Sequence, residues 1–192
     1  MKNIQPELTR TKVLLQKFES LTIYRYTTIP LPRYRHVPGM TPHPISDKNG
    51  HSYGKRNENI QRIFESDWQS NELYLYAIDL FNYKYFWETH EALEDLWKIE
   101  DDSNTKLFLQ GVIQISAAYV KWIEGIEEGA KKLSFKGLDK LLILKESQNT
   151  ICGIDLPKFI HEHQTFLNTN LQKISIPPPI HLLIPDNDTL IR

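Results

Sequence analysis

Eleven residues in the middle of this chain, Trp87 to Trp97, set an imidazole and two carboxylates among aromatic and aliphatic neighbours. Residues three and four apart share one face of a helix, so His90, Glu91 and Glu94 can converge there. Carboxylates held among apolar residues call for a cation, a proton or hydrogen-bond donors. Three chemistries meet that need: a metal site, general acid–base catalysis, and a structural polar network.

The metal reading starts from the pattern His-Glu-x-x-Glu. In zinc peptidases His-Glu-x-x-His supplies two imidazoles and a general base. Here Glu94 stands in the second histidine's place, and a carboxylate oxygen can ligate zinc, iron or manganese. Two ligands are too few for a site, and Glu-x-x-His, the di-iron pattern of helical bundles, occurs nowhere in the chain. Further ligands to a divalent metal could come from His43 and His51 in a proline-rich arm, where Asp47 and His36 also lie. The metal set expected is therefore His90, Glu94, His43 and His51.

Acid–base work would fall to Glu91 and Glu94, with hydrolysis by a general base the least forced reaction. Gln110 and Gln114 are one turn apart on a later helix, and Trp97 flanks the cluster; these three are the expected ligand-binding residues. The same amides would complete a buried network that only sets helix register. No serine or cysteine stands out as a nucleophile beside the cluster. Cys152 sits next to Gly153 in an expected loop, His161 and His163 are spaced for different helix faces and read as surface residues, and Gly50 to Gly54 lacks phosphate-loop spacing.

The elements that must position these groups are legible from periodicity. Leu73, Tyr76, Ala77, Leu80 and Phe81 recur at helical spacing, Asn82 marks a turn, and a second helix runs from about Tyr85 to Ile99. Ser103 or Asn104 is a suitable N-cap for a third helix, about Thr105 to Glu124, which is apolar nearly all round and so belongs at the centre. Gly125 ends it. A fourth helix follows, which Gly137 could kink, and a last runs from about Pro157 to Asn170. Before all of these, Val13, Leu14, Leu15 and Phe18 mark a short helix within about Leu8 to Leu21. Pro30, Pro32, Pro38, Pro42 and Pro44 make Thr27 to Gly54 extended loop, whose tyrosines and histidines give it groups to pack over the core.

The expected organisation is all-α: a compact bundle of about five helices (58–175), an N-terminal arm (1–57) and a tail (176–192) beginning near Pro177-Pro178-Pro179. With 24% charged residues and a formal net charge of −1 in 192 residues, no nucleic-acid or anionic-membrane partner is expected. One cysteine precludes an internal disulfide framework, and no apolar run would span a bilayer, so a cytoplasmic protein is expected. Its partner would be a small molecule or a protein, homo-oligomerisation being open.

Phe81 to Lys98, with its His-Glu-x-x-Glu turn, resembles the signature of domain of unknown function family 309. Phe108 to Tyr119 looks like that family's second signature, and Gly125 to Leu133 is similar to its third segment. The resemblance covers about Leu73 to Leu144. It implies a small helical bundle with the turn facing inward, His90, Glu91 and Glu94 at the suspected site and Trp97 beside them. It implies no reaction. Where the family commonly has glycine this chain has Lys84, which predicts a looser, more continuous passage between the first two bundle helices. The alternative to a ligand site is an interaction module, since the third and fourth helices form a hairpin with Tyr119, Trp122 and Ala130 placed as in tetratricopeptide-like units. No repeat follows at a fixed period.

Overall fold

The computed structural model describes residues 4–55, 59–169 and 173–184. The arm–bundle boundary at 57/58, the end of the last helix at Asn170 and the tail beyond 184 fall outside the described residues. The architecture is all-α. Helix α1 (Ile4–Glu19) precedes a long irregular arm and a 3-10 turn (Glu65–Ser70). Helices α2 (Glu72–Asn82), α3 (Phe86–Ile99), α4 (Ser103–Ile123) and α5 (Glu127–Lys145) follow. A ribbon of β1 (Thr150–Ile151) against β2 (Ile154–Asp155) leads into α6 (Leu156–Thr169). Among the described residues no helix is long and apolar enough to cross a membrane.

Helix starts follow capping chemistry. Asn71 caps α2 by accepting the Tyr74 N–H at 3.0 Å. The cap of α4 is Asp102 rather than Ser103 or Asn104, its carboxylate accepting the Thr105 N–H at 2.8 Å. The α2–α3 junction is tight, contrary to the expectation from Lys84. Lys84 adopts φ 67°, the Tyr85 N–H reaches Leu80 O at 2.8 Å, and the Lys84 N–H reaches Phe81 O at 3.0 Å. This is a Schellman ending made without glycine. An L side chain in that left-handed conformation costs about 1–2 kcal/mol.

Helix α4 is central because it is buried on most sides, with Phe108, Leu109, Val112, Ile115 and Tyr119 all at or near zero exposure. It meets α5 at a glycine crossing. A Cβ on Gly137 would lie 2.7 Å from the Gly111 carbonyl oxygen, and one on Gly111 would lie 2.8 Å from Leu141. Gly137 therefore sits in an unbroken helix and allows close approach instead of kinking it. Gly137→Ala should destabilise the fold by about 1–3 kcal/mol in urea denaturation, because backbone blocks the new methyl group. Tyr119, Trp122 and Ala130 belong to the core, the first two under Phe166 of α6.

The arm wraps the bundle through polar anchors. α1 packs through Leu14 and Phe18, and the Thr11 hydroxyl donates to Ile123 O at 2.8 Å. Asp79, fully buried on α2, accepts the Tyr26 N–H, the Thr27 N–H and the Thr27 hydroxyl at 2.7–2.9 Å. Arg35 donates to Tyr83 O and Phe18 O, and the Tyr85 hydroxyl donates to Pro32 O. The described start of the tail is likewise bound: Ile180 is buried and exchanges two hydrogen bonds with the Asn82 amide, and Leu182 bridges to Ile154. The ribbon's turn places Cys152 and Gly153 at φ 46° and 74°, the two positive angles of a type I′ hairpin.

Candidate functional site

On α3 the side chains that face the core are Phe86, Glu88, Thr89, Ala92, Leu93 and Leu96. His90, Glu91 and Glu94 lie at the edge of that face. Their side chains are 31%, 33% and 36% exposed, a more open setting than the flanking aromatic residues suggest. One ligand atom from each lies within 4.8 Å of the others, so the helical spacing does bring the three together. His90 Nδ1 stands 3.3 Å from Glu91 Oε1. Its hydrogen bond, opposed by partial burial and assisted by the charges of His90, Lys98 and His43, holds the Glu91 carboxyl below the usual range. Lys98 Nζ lies 3.7 Å from both Glu94 and Asp95, a cation already at the rim.

The arm does cross α3, but its imidazoles land on Trp87 and Glu88. The rings of His36 and His43 meet Trp87 edge-on at 5.0 and 5.1 Å and each other at 5.3 Å. Burial lowers the proton affinity of His36, with Glu88 opposing. His43 Nδ1 accepts the backbone N–H groups of Ile45 and Ser46, both at 3.3 Å, so its remaining proton is on Nε2, which is then a donor and not a ligand. His51 turns its Nε2 to Glu88 Oε1 at 3.0 Å and its Nδ1 to Ser52 Oγ at 2.9 Å. Neither ring nitrogen of His51 is spare.

The expected amide partners also point elsewhere. Gln114 accepts from Lys140 Nζ of α5 at 3.1 Å, and Gln110 makes no hydrogen bond to the α3 carboxylates. Trp97 stacks under Lys106, whose Nζ is 5.4 Å from the ring centroid.

Residues 74–133 match the model of a family described as domain of unknown function (DUF309). That segment belongs to the DUF309 family. No curated protein and no solved structure matches the chain. The DUF309 segment runs from Tyr74 in α2 through α3 and α4 into α5, so it contains the whole His90–Glu94 turn and the glycine at 111, while the arm lies outside it.

Several groups escaped the sequence reading. Glu88 is the buried carboxylate of the region: Oε1 accepts from the His36 N–H at 2.9 Å as well as from His51, and Oε2 has no partner. Its signal was position, one turn before Ala92 on the side of α3 that buries Thr89, Leu93 and Leu96, while its partners, His36 and His51, come from the arm. Lys84 is 1% exposed with an unpartnered Nζ, and burial, with the Arg35 charge behind it, lowers its pKa to about 7. His163, contrary to the surface position its spacing predicts, is fully buried; the Tyr119 hydroxyl meets its Nδ1 at 2.6 Å, and burial holds it neutral. Cys152 is inert as a nucleophile, since burial and Glu65 push its thiol up.

Proposed function

We propose that His90, Glu91 and Glu94 bind a divalent metal ion at the surface of the bundle and that the bound ion serves hydrolysis. The observation that carries this reading is the convergence of one imidazole and two carboxylates, each a third exposed, within 4.8 Å. Ligand atoms around a tetrahedral zinc are roughly 3.3 Å apart, so modest side-chain rotations would close the set. The one-histidine, two-carboxylate composition suits zinc, manganese or iron. Partial exposure leaves room for a water or substrate atom beside three protein ligands. A bound ion would supply a polarised carbonyl or a more acidic water.

The chain's own groups then divide the work. Glu91, with its lowered proton affinity, stays an anionic donor at neutral pH. Glu94 must release Lys98 to join, and Lys98 remains at the rim as a countercharge for an anionic product. His43, on the edge of Trp87, offers an Nε2–H donor above this face, not a ligand. We assign the arm (1–57) the role of a cover over α3, the bundle (58–175) the role of the site's carrier, and the single free thiol fits a cytoplasmic setting. The competing reading, a sealed structural network in an interaction module, is weakened because the cluster is open to solvent and Gln114 is engaged by Lys140.

Metal content of untagged protein and melting curves with zinc, manganese, iron(II) and nickel test the proposal. At a hundredfold excess over Kd one of these ions should add about 2.7 kcal/mol, or roughly 5–10 °C in Tm. Glu94→Gln should remove that gain while leaving the metal-free Tm almost unchanged, because Glu94 is at the surface. Identical melts with every ion would defeat the reading.

A further inference from the structure

The arm holds a second constellation, outside the metal reading and independent of it. Ser52 Oγ lies 2.9 Å from His51 Nδ1, and His51 Nε2 lies 3.0 Å from Glu88 Oε1. We propose that Ser52, His51 and Glu88 form a nucleophilic relay, with Ser52 as the nucleophile of an acyl-transfer site for small carboxylic esters.

The geometry sets the role of each group. Glu88 accepts hydrogen bonds at Oε1 from the His36 backbone N–H and from His51, so the His51 proton sits on Nε2. The lone pair of Nδ1 then faces Ser52, whose hydroxyl donates to it. This is the order of a serine–histidine–acid relay with the two imidazole nitrogens exchanged. The histidine and the acid are buried, with side chains 6% and 5% exposed, which strengthens the attraction of Glu88 for an imidazolium formed beside it. Tyr34 fixes the imidazole: its ring lies 4.7 Å from that of His51, and its hydroxyl accepts the His51 N–H at 3.3 Å. Ser52 itself is only half-buried.

The loop around it is built for this placement. Gly50-His51-Ser52-Tyr53-Gly54 has the spacing Gly-x-Ser-x-Gly, in which a tight turn presents a serine. Here the turn lies in a loop on a helical bundle, so the pattern carries no likeness of fold. Both glycines are nonetheless demanded. A Cβ on Gly50 would fall 2.2 Å from Pro44 O, and Gly54 has φ 70°. The Ser52 N–H to Pro44 O bond, 3.0 Å, closes the loop at the serine itself.

The step balances without a cofactor. Ser52 Oγ bonds to the ester carbonyl carbon while its proton passes to His51 Nδ1 and the carbonyl π pair moves to oxygen. The tetrahedral intermediate collapses, the carbon–alkoxy bond breaks, and the departing alkoxide takes the proton from His51. Water then attacks acyl-Ser52 by the same route in reverse, releasing the acid and restoring the serine.

A fluorophosphonate probe, in which phosphorus–fluorine cleavage accompanies phosphonylation of the serine, tests this in the full native chain in the presence of a chelator. Peptide mapping should place the label on Ser52, with Ser46 and Ser66, exposed nearby on the chain, serving as internal references. Native protein should label at Ser52 at least tenfold faster than urea-unfolded protein. His51→Asn and Glu88→Gln, checked for folding by circular dichroism, should slow Ser52 labelling by about 10²-fold, the lower end of what a positioned base contributes. Hydrolysis of p-nitrophenyl acetate should fall with Ser52→Ala. Ser52 labelling no faster than that of Ser46, or equal in native and unfolded chains, overturns the proposal. Because chelator is present throughout, the result stands or falls separately from the metal site.

Discussion

Lys84→Met should raise the stability of this protein at pH 7 by about 3–5 kcal/mol, measured by urea denaturation. The wild-type amine is 1% exposed, has no hydrogen-bond partner and faces Phe81, its Nζ 6.0 Å from the ring centroid. Burial and the neighbouring Arg35 lower its pKa from 10.5 to about 7. A base whose folded pKa is depressed destabilises the fold wherever the unfolded chain holds the extra proton. Between about 7 and 10.5 the unfolded chain is protonated and the folded chain is not, so wild-type stability climbs as pH rises through this window. At roughly 1.4 kcal/mol for each pH unit the whole span reaches the figure above. Below about pH 7 the penalty is at its full value, and above 10.5 it is gone.

Methionine keeps the apolar stem and removes the titrating group, so the variant's advantage should be greatest below about pH 7 and vanish near 10.5. Equal stability of wild type and variant across this range would show that Lys84 finds a partner. Lys84→Gly should stabilise less than methionine does. It relieves about 1–2 kcal/mol of left-handed strain at φ 67° but empties buried space.

The opposite effect is expected at Asp79. Asp79→Ala should cost about 3–5 kcal/mol, lowering Tm on the order of 10 °C. The carboxylate is fully buried and holds two backbone N–H groups and one hydroxyl of the arm at 2.7–2.9 Å, with Arg25 Nε at 3.4 Å. Alanine would strand three hydrogen-bond donors and leave the Arg25 charge without its carboxylate, and stranded buried donors carry the larger part of the cost. Asp79→Asn keeps one acceptor oxygen and should lose about half as much. Hydrogen exchange separates arm release from general unfolding: Tyr26 and Thr27 should lose protection first, before the amides of α4. Uniform loss of protection would mean that Asp79 stabilises the bundle as a whole and does not pin the arm.

How far such groups can be read in advance depends on the distance over which they are satisfied. The helices were legible because the 3.6-residue repeat of Leu73, Tyr76, Ala77, Leu80 and Phe81, and the nearly all-round apolar character of α4, are local patterns. The convergence of His90, Glu91 and Glu94 was legible for the same reason, since one helix places all three. Asp79 was not, because its partners lie more than fifty residues earlier in the chain. Gly137 carried a local meaning, a kink, and a tertiary one, a crossing with Gly111; the packed helix pair selects the second. Lys84 misled for the opposite reason. Its left-handed conformation is locally unfavourable, but the packing of α2 and α3 imposes it.

What the amino-acid sequence determined by itself is the all-α class, the order of the helices and the triad of donors on one turn of α3. All of these follow from periodicity and spacing within a single element. Only the tertiary structure decided where the arm's imidazoles go. His36 and His43 settle on Trp87 and His51 on the buried Glu88, because the Asp79 anchor and the tight loop at Gly50 fix the arm's path across α3. Loop residues have no repeat that reveals a facing partner; their chemistry appears when the chain brings distant polar groups within hydrogen-bond reach.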